Sequence, residues 1–336
     1  MHIPKISLVI LNWNGEKYLK RFMPAILANA YPNLEIVVGD NASTDNSVAY
    51  LQAHYPTVRI ISNDKNYGFA EGYNRVLQHL DADYFILLNS DVEVSPNWIK
   101  PVIDLMENDT TIAAAQPKIL SYRHKQQFDY AGAAGGLLDI FGYPFCRGRI
   151  FDTLEDDLGQ YDNNCEIFWA SGAAFFIKKK YWNESGGFDA DFFAHMEEID
   201  LCWRLKNKGY KIMYCAHSTV YHIGGGTLNT EHPYKTYLNF RNNLVMLQKN
   251  LPLMRAIPII GIRFWLDLAS LIKYVLAGKF KNALAISKAH RYFLSNLYKN
   301  AAKATKDTSQ FNDVGVFRRS IALKHFIEKV KIFSDL

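Results

Sequence analysis

The sequence predicts an α/β protein with a mixed, mainly parallel sheet flanked by helices and a helical C-terminal extension. Over about the first 120 residues, apolar runs of strand length alternate with amphipathic stretches of helix length. Strands that alternate with helices pair in parallel through right-handed crossovers. Beyond Pro252 the pattern changes to long apolar and basic stretches without strand signals.

The first half of the chain contains four strand-helix pairs. The run Tyr-Phe-Ile-Leu-Leu is the clearest strand, because five consecutive apolar residues indicate burial on both faces. The predicted strands are Ile6–Leu11, Leu34–Gly39, Val58–Ser62 and Tyr84–Leu88, and the predicted helices are about Glu16–Ala28, Asn46–His54, Ala70–His79 and Pro96–Glu107.

The second half is less regular. Leu120–Asn164 is Gly-rich and poorly periodic, which predicts a long loop or small hairpin over the substrate side. Cys165–Lys178 reads as one strand, Glu197–Lys208 as a helix that Gly209 ends, and Lys211–Cys215 as a further strand.

Charge divides the chain into two predicted parts, residues 1–250 and a basic extension at 251–336. Residues 255–336 carry 15 Lys and Arg against 5 Asp and Glu, which leaves 23 basic and 28 acidic residues before them. Ala256–Ala277 is very apolar, but Arg263, Asp267 and Lys273 interrupt it and argue against a membrane-spanning helix. Either the extension lies in a membrane interface or it is a helical bundle packed on the first domain.

The composition also bears on location. The four cysteines have no CxxC spacing and no disulfide-like framework, which favours a reducing compartment. The sequence reaches its first strand without a signal-peptide pattern. We therefore expect a cytoplasmic protein, peripheral on the cytoplasmic face of the inner membrane, with no nucleic-acid partner.

Acidic and amide side chains follow the buried strand Tyr84–Leu88. Asn89, Asp91 and Glu93 come at its carboxyl end, where open α/β sheets bind ligands. Closely spaced oxygen ligands suit Mg²⁺ or Mn²⁺ carrying a diphosphate. The alternative is a polar turn that starts the next helix.

Two segments suit the binding of a nucleoside and its phosphates. Asp40, at the tip of the second strand, can accept a hydrogen bond from N3–H of a uracil or thymine ring, and Asn12 at the tip of the first can line the same pocket. The segment from Asn66 to Asn74 has glycines that permit close backbone approach, including Gly68, and opens a helix whose N–H groups could face an anion. There is no GxGxxG after the first strand and no P-loop motif.

Adjacent carboxylates begin the predicted helix at 197. Glu197 and Asp200 share one helix face, and Asp200 can pair with Arg204. The aromatic residues that precede them could raise the pKa of one carboxyl towards the range of a general base. The alternative is that Glu197 and Glu198 only complement the helix dipole.

Two further residues lie near the end of the first predicted part. His222 precedes three glycines, at 224–226, so it is a candidate metal ligand or diphosphate contact beside a mobile loop. Arg241 can pair with phosphate.

Taken in order, these motifs resemble those of family 2 glycosyltransferases with the GT-A fold, particularly the bacterial rhamnosyltransferase-like branch. The similarity covers about residues 4–250, and it is specific because of the order of the motifs. The matching pieces are Val-Ile-Leu-Asn-Trp-Asn, Asp40-Asn41-Ala42-Ser43-Thr44-Asp45, Asn66-x-Gly-Phe-Ala-x-Gly-x-Asn74, Leu-Asn-Ser-Asp91, Gly-Gly-Phe-Asp189, Glu-Glu-Ile-Asp-Leu-Cys-Trp-Arg204 and His222 with its glycines.

The resemblance implies a nucleotide-diphosphate sugar donor, dTDP-rhamnose or a UDP-hexose, a divalent cation, and transfer with inversion. The acceptor would be a glycan hydroxyl, on a lipid-linked oligosaccharide in surface polysaccharide synthesis. Asp40 would hold the nucleobase and Asp91 the metal. Glu198, with Glu197 second, would be the base, although this chain has Glu198 where the family usually has Asp.

Some residue roles remain open. Asn89 replaces the first acid of the family's DxD element, so Glu93 is only a further candidate, as are Asp200 and Trp169. The departures at Asn89 and Glu198 leave an alternative, a catalytically silent protein of the same fold that binds a sugar nucleotide or carbohydrate.

Overall fold

The computed structural model describes residues 3–29, 31–224, 232–305 and 308–336, and a large twisted sheet lies at their centre. Within those ranges nine strands form it, in the order β11-β13-β6-β12-β4-β1-β2-β3, with β5 beside β13. Apolar residues on its two faces pack under helices and form two separate buried clusters. This is the predicted mixed α/β architecture with helices on both faces.

The elements have the following bounds. The strands are β1 (Ile6–Asn12), β2 (Leu34–Asp40), β3 (Arg59–Ser62), β4 (Tyr84–Asn89), β5 (Val92–Val94), β6 (Ile112–Ser121), β7 (Gly136–Asp139), β8 (Pro144–Cys146), β9 (Arg149–Ile150), β10 (Thr153–Leu154), β11 (Cys165–Ile167), β12 (Ala174–Lys178), β13 (Lys211–His222) and β14 (Val316–Phe317). The helices are α1 (Glu16–Leu27), α2 (Ser47–His54), α3 (Gly68–Leu77), α4 (Ile99–Asn108), α5 (Lys179–Ser185), α6 (Glu197–Asn207), α7 (Pro233–Asn250), α8 (Leu253–Leu276), α9 (Phe280–Ser295), α10 (Leu297–Ala302) and α11 (Ile321–Phe326).

The first half of the sheet is parallel, as the sequence predicts. β1 pairs in parallel with β2 and β4, and β2 with β3. In this register Asn12 lies opposite Asp40, and Leu11 lies opposite Asn89. The polar residues that end these strands therefore share one edge of the sheet, where parallel strands bring their carboxyl ends together.

The segment Cys165–Lys178 is not one strand, so that prediction is wrong. β11 pairs with β13 at one side of the sheet, whereas β12 pairs with β4 and β6 in its middle. Between them the chain turns at Ser171, whose N–H is bound by the side chain of buried Gln116 at 2.9 Å. Buried polar groups in the middle of an apolar run thus end the first strand. β13 is also longer than predicted, because a bulge after Cys215 lets pairing with β6 resume at Thr219.

The Gly-rich segment after β6 forms a second sheet where a loop or small hairpin was predicted. Among the described residues this sheet has five strands, in the order β10-β9-β8-β7-β14. Its last strand comes from the C-terminal extension and pairs in parallel with β7. Phe145, Ile150 and Ile321 form its small core. Strands of two to four residues leave too little periodicity for sequence to reveal.

The C-terminal extension is mainly helical, as predicted, and its first long helix packs on the body through polar residues. Arg263 donates to the carbonyl oxygen of Phe141 at 3.0 Å and to the side chain of Asn243. Asp267 accepts from His290 of α9 at 3.0 Å. Arg263 and Asp267 are buried, so they face the protein. In the part of the chain that the structure describes, no helix has the length and apolarity that crossing a bilayer requires.

Candidate active site

Asn12 and Asp40 meet at the tips of β1 and β2. The Asn12 amide group donates to Asp40 at 3.4 Å and to the Ser43 hydroxyl at 3.1 Å. The other Asp40 oxygen accepts from the Ser43 N–H at 3.0 Å. The carbonyl oxygen of the Asn12 side chain is buried and has no hydrogen-bond partner among the described residues. Both side chains are buried at the edge where the sheet presents its ligand face.

Asn41, which the sequence did not single out, fixes the segment that starts α3. Its amide nitrogen donates to the Asn66 side chain at 3.0 Å and to the Gly68 carbonyl oxygen at 2.9 Å. The first helical N–H groups, of Phe69 and Ala70, donate to the Phe193 carbonyl oxygen at 2.7 and 3.1 Å. The expectation that these groups face an anion is therefore wrong, because a backbone oxygen already occupies them.

Asn74 lies away from the strand tips and holds a turn. Its amide nitrogen donates to the Phe188 carbonyl oxygen at 2.9 Å, and its oxygen accepts from the Phe188 N–H at 3.0 Å. A Cβ on Gly187 would come within 2.7 Å of that side-chain oxygen. Both polar groups of Asn74 are engaged with this turn, so the donor-binding role predicted for it is not supported by its position.

Asp91 and His222 contact each other directly. His222 ends β13, and its Nε2 lies 3.3 Å from Asp91 Oδ1. Its Nδ1 lies 3.1 Å from Asp129, a buried residue in the segment that leads to the second sheet. Burial alone would lower the pKa of His222, but the two carboxylates raise it to about 10. Burial would raise the pKa of Asp91, yet the charge of His222 and its hydrogen bond hold that pKa below its usual range.

The Asp91–His222 pair suits one side of a divalent-cation site. Carboxylate oxygen and neutral imidazole nitrogen are both ligands of Mn²⁺, so a cation here would displace the proton between His222 Nε2 and Asp91. Cations that carry phosphates usually take only one or two protein ligands. Asp129 on the far ring nitrogen is placed as the outer partner that orients a metal-binding histidine. Across the described residues no group of three or more His, Cys, Asp and Glu side chains suited to a metal was found. Such a cation would need its remaining ligands from substrate and water.

The other residues of the predicted metal element lie nearby but make different contacts. The Asn89 side chain is half-buried at the end of β4. The backbone N–H of Asn89 donates to the Ala173 carbonyl oxygen at 3.0 Å. Glu93 lies in β5 opposite Tyr221 and pairs with Lys125 at 2.7 Å. Glu93 is thus engaged by a surface cation, whereas Asp91 alone of these carboxylates contacts His222.

Glu197 and Glu198 begin α6, and neither carboxyl group forms an ion pair in the described chain. One oxygen of each is buried without a hydrogen-bond partner in the described chain. Burial raises the pKa of Glu198 to about 7. Burial, and then the charge of Glu198, raise the pKa of Glu197 well above its usual range. A carboxyl with a pKa near 7 can accept a proton as a general base at neutral pH.

The loop before α6 has unusual backbone geometry. Phe193, His195 and Met196 have φ values of 64°, 69° and 75°, in the left-handed region that non-glycine residues rarely adopt. Asn242 of α7 donates to the carbonyl oxygens of Phe192, Ala194 and His195 at 2.7 to 3.0 Å. Such strain persists only where surrounding contacts fix it, and it is common at active sites.

Arg241 forms hydrogen bonds with the backbone of the same loop. Its guanidinium group is buried and donates to the carbonyl oxygens of Asp191 and Phe192, at 2.8 Å each. Its Nε donates to the Asn242 side chain at 2.7 Å. The phosphate-binding role of Arg241 stays a prediction, and the contacts seen here are those of a residue that positions the loop.

Asp200 and Trp169 have structural partners. Asp200 is fully buried; burial opposes its ionisation, but Lys249 and Arg204 hold its pKa below the usual range. Arg204 binds it at 2.9 Å, the predicted helical pair. Trp169 is buried, donates to the Leu137 carbonyl oxygen at 3.0 Å and packs on Gly136 of β7. These contacts tie α6 to α7 and the second sheet to the first.

A cavity of about 390 Å³ lies beside the backbone of His222. Its lining includes three exposed cations, with no carboxylate among the lining residues. Tyr122 in its wall donates its N–H to the His222 carbonyl oxygen at 2.8 Å, which fixes the cavity next to the Asp91–His222 pair. The lining residues are Lys17, Tyr18, Arg21, Tyr122, Arg123 and Ile223.

Sequence reasoning missed Asn41, Asp129, Asn242 and this cavity. Asn242 stands in the motif Arg-Asn-Asn, and three consecutive polar residues on a helix near the site were an available signal. Asp129 lies in the aperiodic segment, so nothing in its surroundings marked it. The mobile loop predicted at glycines 224–226 lies, apart from Gly224, outside the described ranges.

Solved structures with similar coordinates identify the fold. The chain matches GalNAc-T7, solved with UDP, GalNAc and Mn²⁺, at a TM-score of 0.57 and 17% identity, over 74% of this chain and 48% of that one. It matches a mannosyltransferase from Pyrobaculum calidifontis, solved with GDP-Man and Mn²⁺, at a TM-score of 0.53 and 14% identity, over 98% of this chain and 89% of that one. At these identities the likeness establishes the fold, which is the predicted glycosyltransferase GT-A fold.

The sequence comparisons identify the family. The pattern described as glycosyl transferase family 2 matches residues 7–172. An N-acetylglucosaminyl-diphospho-decaprenol L-rhamnosyltransferase from Mycobacterium tuberculosis is 25% identical over 235 residues, which are 65% of this chain and 75% of that protein. The chain belongs to glycosyl transferase family 2 and to its bacterial rhamnosyltransferase-like branch, as the order of its motifs predicted. It is a glycosyltransferase.

Proposed function

We propose that this glycosyltransferase moves a sugar, with inversion, from a nucleotide-diphosphate donor to a hydroxyl of a lipid-linked glycan in surface polysaccharide synthesis. The observation that carries the proposal is Glu198, whose partly unpaired carboxyl begins α6 with a pKa near 7. Inversion in one displacement needs such a base and no covalent nucleophile. dTDP-rhamnose and UDP-hexoses are the proposed donors, because the M. tuberculosis relative is named as a rhamnosyltransferase.

Different residues of the chain bind the nucleobase, accept the proton and position the loop. Asp40 and Asn12 bind the nucleobase, since the Asn12 side-chain carbonyl oxygen has no partner among the described residues and Asp40 lies opposite Asn12 in the sheet. Glu198 takes the proton from the acceptor hydroxyl and makes its oxygen a better nucleophile. Arg241 and Asn242 hold the strained loop, so that Glu198 keeps its position with little reorganisation.

A divalent cation completes the proposed site. Asp91 and His222 would hold Mg²⁺ or Mn²⁺, with Asp129 orienting the histidine. The bound ion would supply positive charge for the departing nucleotide diphosphate. Both solved relatives named above contain Mn²⁺.

The cationic cavity supports an acceptor that carries phosphate. Lys17, Arg21 and Arg123 place three positive charges beside the Asp91–His222 pair without a carboxylate in the lining. A lipid-linked glycan with a diphosphate would match this charge, whereas a neutral glycan would not use it. We therefore assign the cavity to the acceptor's phosphates.

A donor screen tests the proposal. Purified protein would be incubated with UDP-, dTDP- and GDP-sugars, Mg²⁺ or Mn²⁺, and a lipid-diphosphate sugar acceptor, and the product followed by mass spectrometry. We expect transfer from one donor, and its loss in Asp91→Ala and Glu198→Gln while both variants remain folded. Full activity in both variants would refute the assigned roles.

A second measurement distinguishes this enzyme from the alternative, a silent binding protein. Calorimetric titration with UDP, dTDP and GDP, with and without Mn²⁺, measures binding separately from turnover. We expect Mn²⁺ to tighten binding of one nucleotide. Metal-independent binding together with no turnover of any sugar nucleotide would favour the silent protein and overturn the enzymatic proposal.

A further inference from the structure

The outward side of the C-terminal helices is unusually apolar. Most of the large hydrophobic side chains exposed in the described ranges belong to residues 253–332. On α8 they occur three to five residues apart from Met254 to Val275, on the side opposite the buried residues, so they form one continuous stripe. We call this the outer stripe of α8; its members are Met254, Ile257, Ile262, Trp265, Leu268, Ile272, Val275 and Leu276.

Packing within the chain does not account for the outer stripe. The opposite side of α8 buries Ala256, Arg263 and Asp267 against the body. Trp265 is 74% exposed and Leu276 83% exposed, although indole and isobutyl groups favour removal from water. α8 therefore exposes an apolar face although it also packs Ile259, Ile260 and Phe264 against the body, whereas the exposed face of a surface helix is usually polar. Such a contiguous exposed patch marks an interaction surface.

Charge around the stripe indicates the partner. From 253 to 305 the sequence has nine Lys and Arg and one acid, Asp267, which is buried. Exposed Arg255 and Lys273 lie on α8 itself, and Lys281, Lys288 and Arg291 are exposed on α9. Apolar side chains with cations and without exposed carboxylates suit the headgroup region of an anionic bilayer.

A series of contacts connects α9, the helix after the stripe, with the loop that precedes the proposed base. α9 follows α8 directly, and its Asn282 donates to Thr236 in the first turns of α7 at 2.9 Å. The neighbouring Tyr234 contacts Phe193, with ring centroids 6.1 Å apart, in the strained loop before Glu197. Exposed Phe280 opens α9 beside this junction.

We infer that the outer stripe of α8, with the cations of α9, docks this enzyme in the interface of an anionic membrane and lies in that interface without crossing it. The docking surface stands on its own observations, and its use for presenting a lipid-linked acceptor rests on the proposed function.

Vesicle sedimentation tests the docking surface without donor or acceptor. The full chain should sediment with equimolar phosphatidylcholine–phosphatidylglycerol vesicles and lose this binding as salt rises. Replacing both Trp265 and Ile272 with Ser should lower the partition coefficient roughly tenfold or more. The matched control is Leu158→Ser, since Leu158 is 87% exposed but lies outside the extension. Lys281→Gln with Lys288→Gln should cost roughly 10- to 30-fold on anionic vesicles only.

The outcomes separate three possibilities. Selective loss in the stripe and charge variants, with unchanged thermal unfolding, supports docking. No vesicle binding by the native chain, or an equal loss in Leu158→Ser, overturns it. A concentration-dependent dimer that Trp265→Ser abolishes, without vesicle binding, also overturns it and assigns the stripe to self-association. Vesicle binding by a protein that transfers no sugar would leave the docking surface intact and refute only the proposed function.

Discussion

Replacing Glu198 with Gln should make the protein more stable at alkaline pH while it removes the proposed base. The ordinary pKa of a glutamate is 4.5, and burial raises that of Glu198 to about 7. The unfolded chain therefore releases this proton at lower pH than the folded chain does. The free energy of unfolding therefore falls as pH rises from about 4.5 to 7, and above pH 7 it stays lower by the full amount. A pKa difference of about 2.5 corresponds to at most about 3 kcal/mol.

Urea unfolding at pH 5 and pH 8 measures this effect. At pH 8 we expect Glu198→Gln to gain up to about 3 kcal/mol, and at pH 5 less than about 1 kcal/mol. The control is Glu184→Gln, because Glu184 is partly exposed and paired with Lys208 at 3.0 Å. An equal gain at both pH values, or a loss at pH 8, would refute the reasoning that Glu198 is a desolvated carboxyl. Activity should fall about 10²- to 10⁴-fold in the same variant. In the native enzyme, activity at pH 6 should be roughly a tenth of its value above pH 8, because about a tenth of Glu198 is ionised at pH 6.

Three other substitutions test the supporting contacts. Gly68→Ala should destabilise by about 1–2 kcal/mol or more in urea unfolding, since Gly68 has φ +75° and a Cβ would lie 2.6 Å from the Phe193 carbonyl oxygen; unchanged stability would contradict the close contact. Asp129→Asn should weaken Mn²⁺ binding about 10- to 100-fold in calorimetry, because His222 loses the carboxylate that orients it; native affinity would argue against that role. Arg241→Lys should lower kcat with little change in nucleotide affinity, and a weaker affinity with native kcat would restore the phosphate role.

The βα half of the fold could be predicted because each signal there is local. A buried strand such as Tyr84–Asn89 shows its whole apolar run in sequence, and the polar residues at its end follow at once. Parallel pairing then places Asn12 and Asp40 side by side without further information. The second sheet could not be predicted, since β14 reaches β7 from almost 180 residues away and neither strand is long enough to show a period.

The site residues also fall into two groups, those whose role local sequence suggests and those whose role depends on tertiary contacts. A carboxyl such as that of Glu198, which has one oxygen without a partner among the described residues, can accept a proton wherever the fold buries it, so its residue type already suggested a base. Arg241 differs, because a guanidinium group has five donors that serve a phosphate or backbone carbonyl oxygens equally well. Only the fold decides between them, by placing the carbonyl oxygens of Asp191 and Phe192 within 2.8 Å. The residues proposed to act on substrate were thus suggested by the sequence, whereas those that hold the strained loop could be recognised only from tertiary contacts.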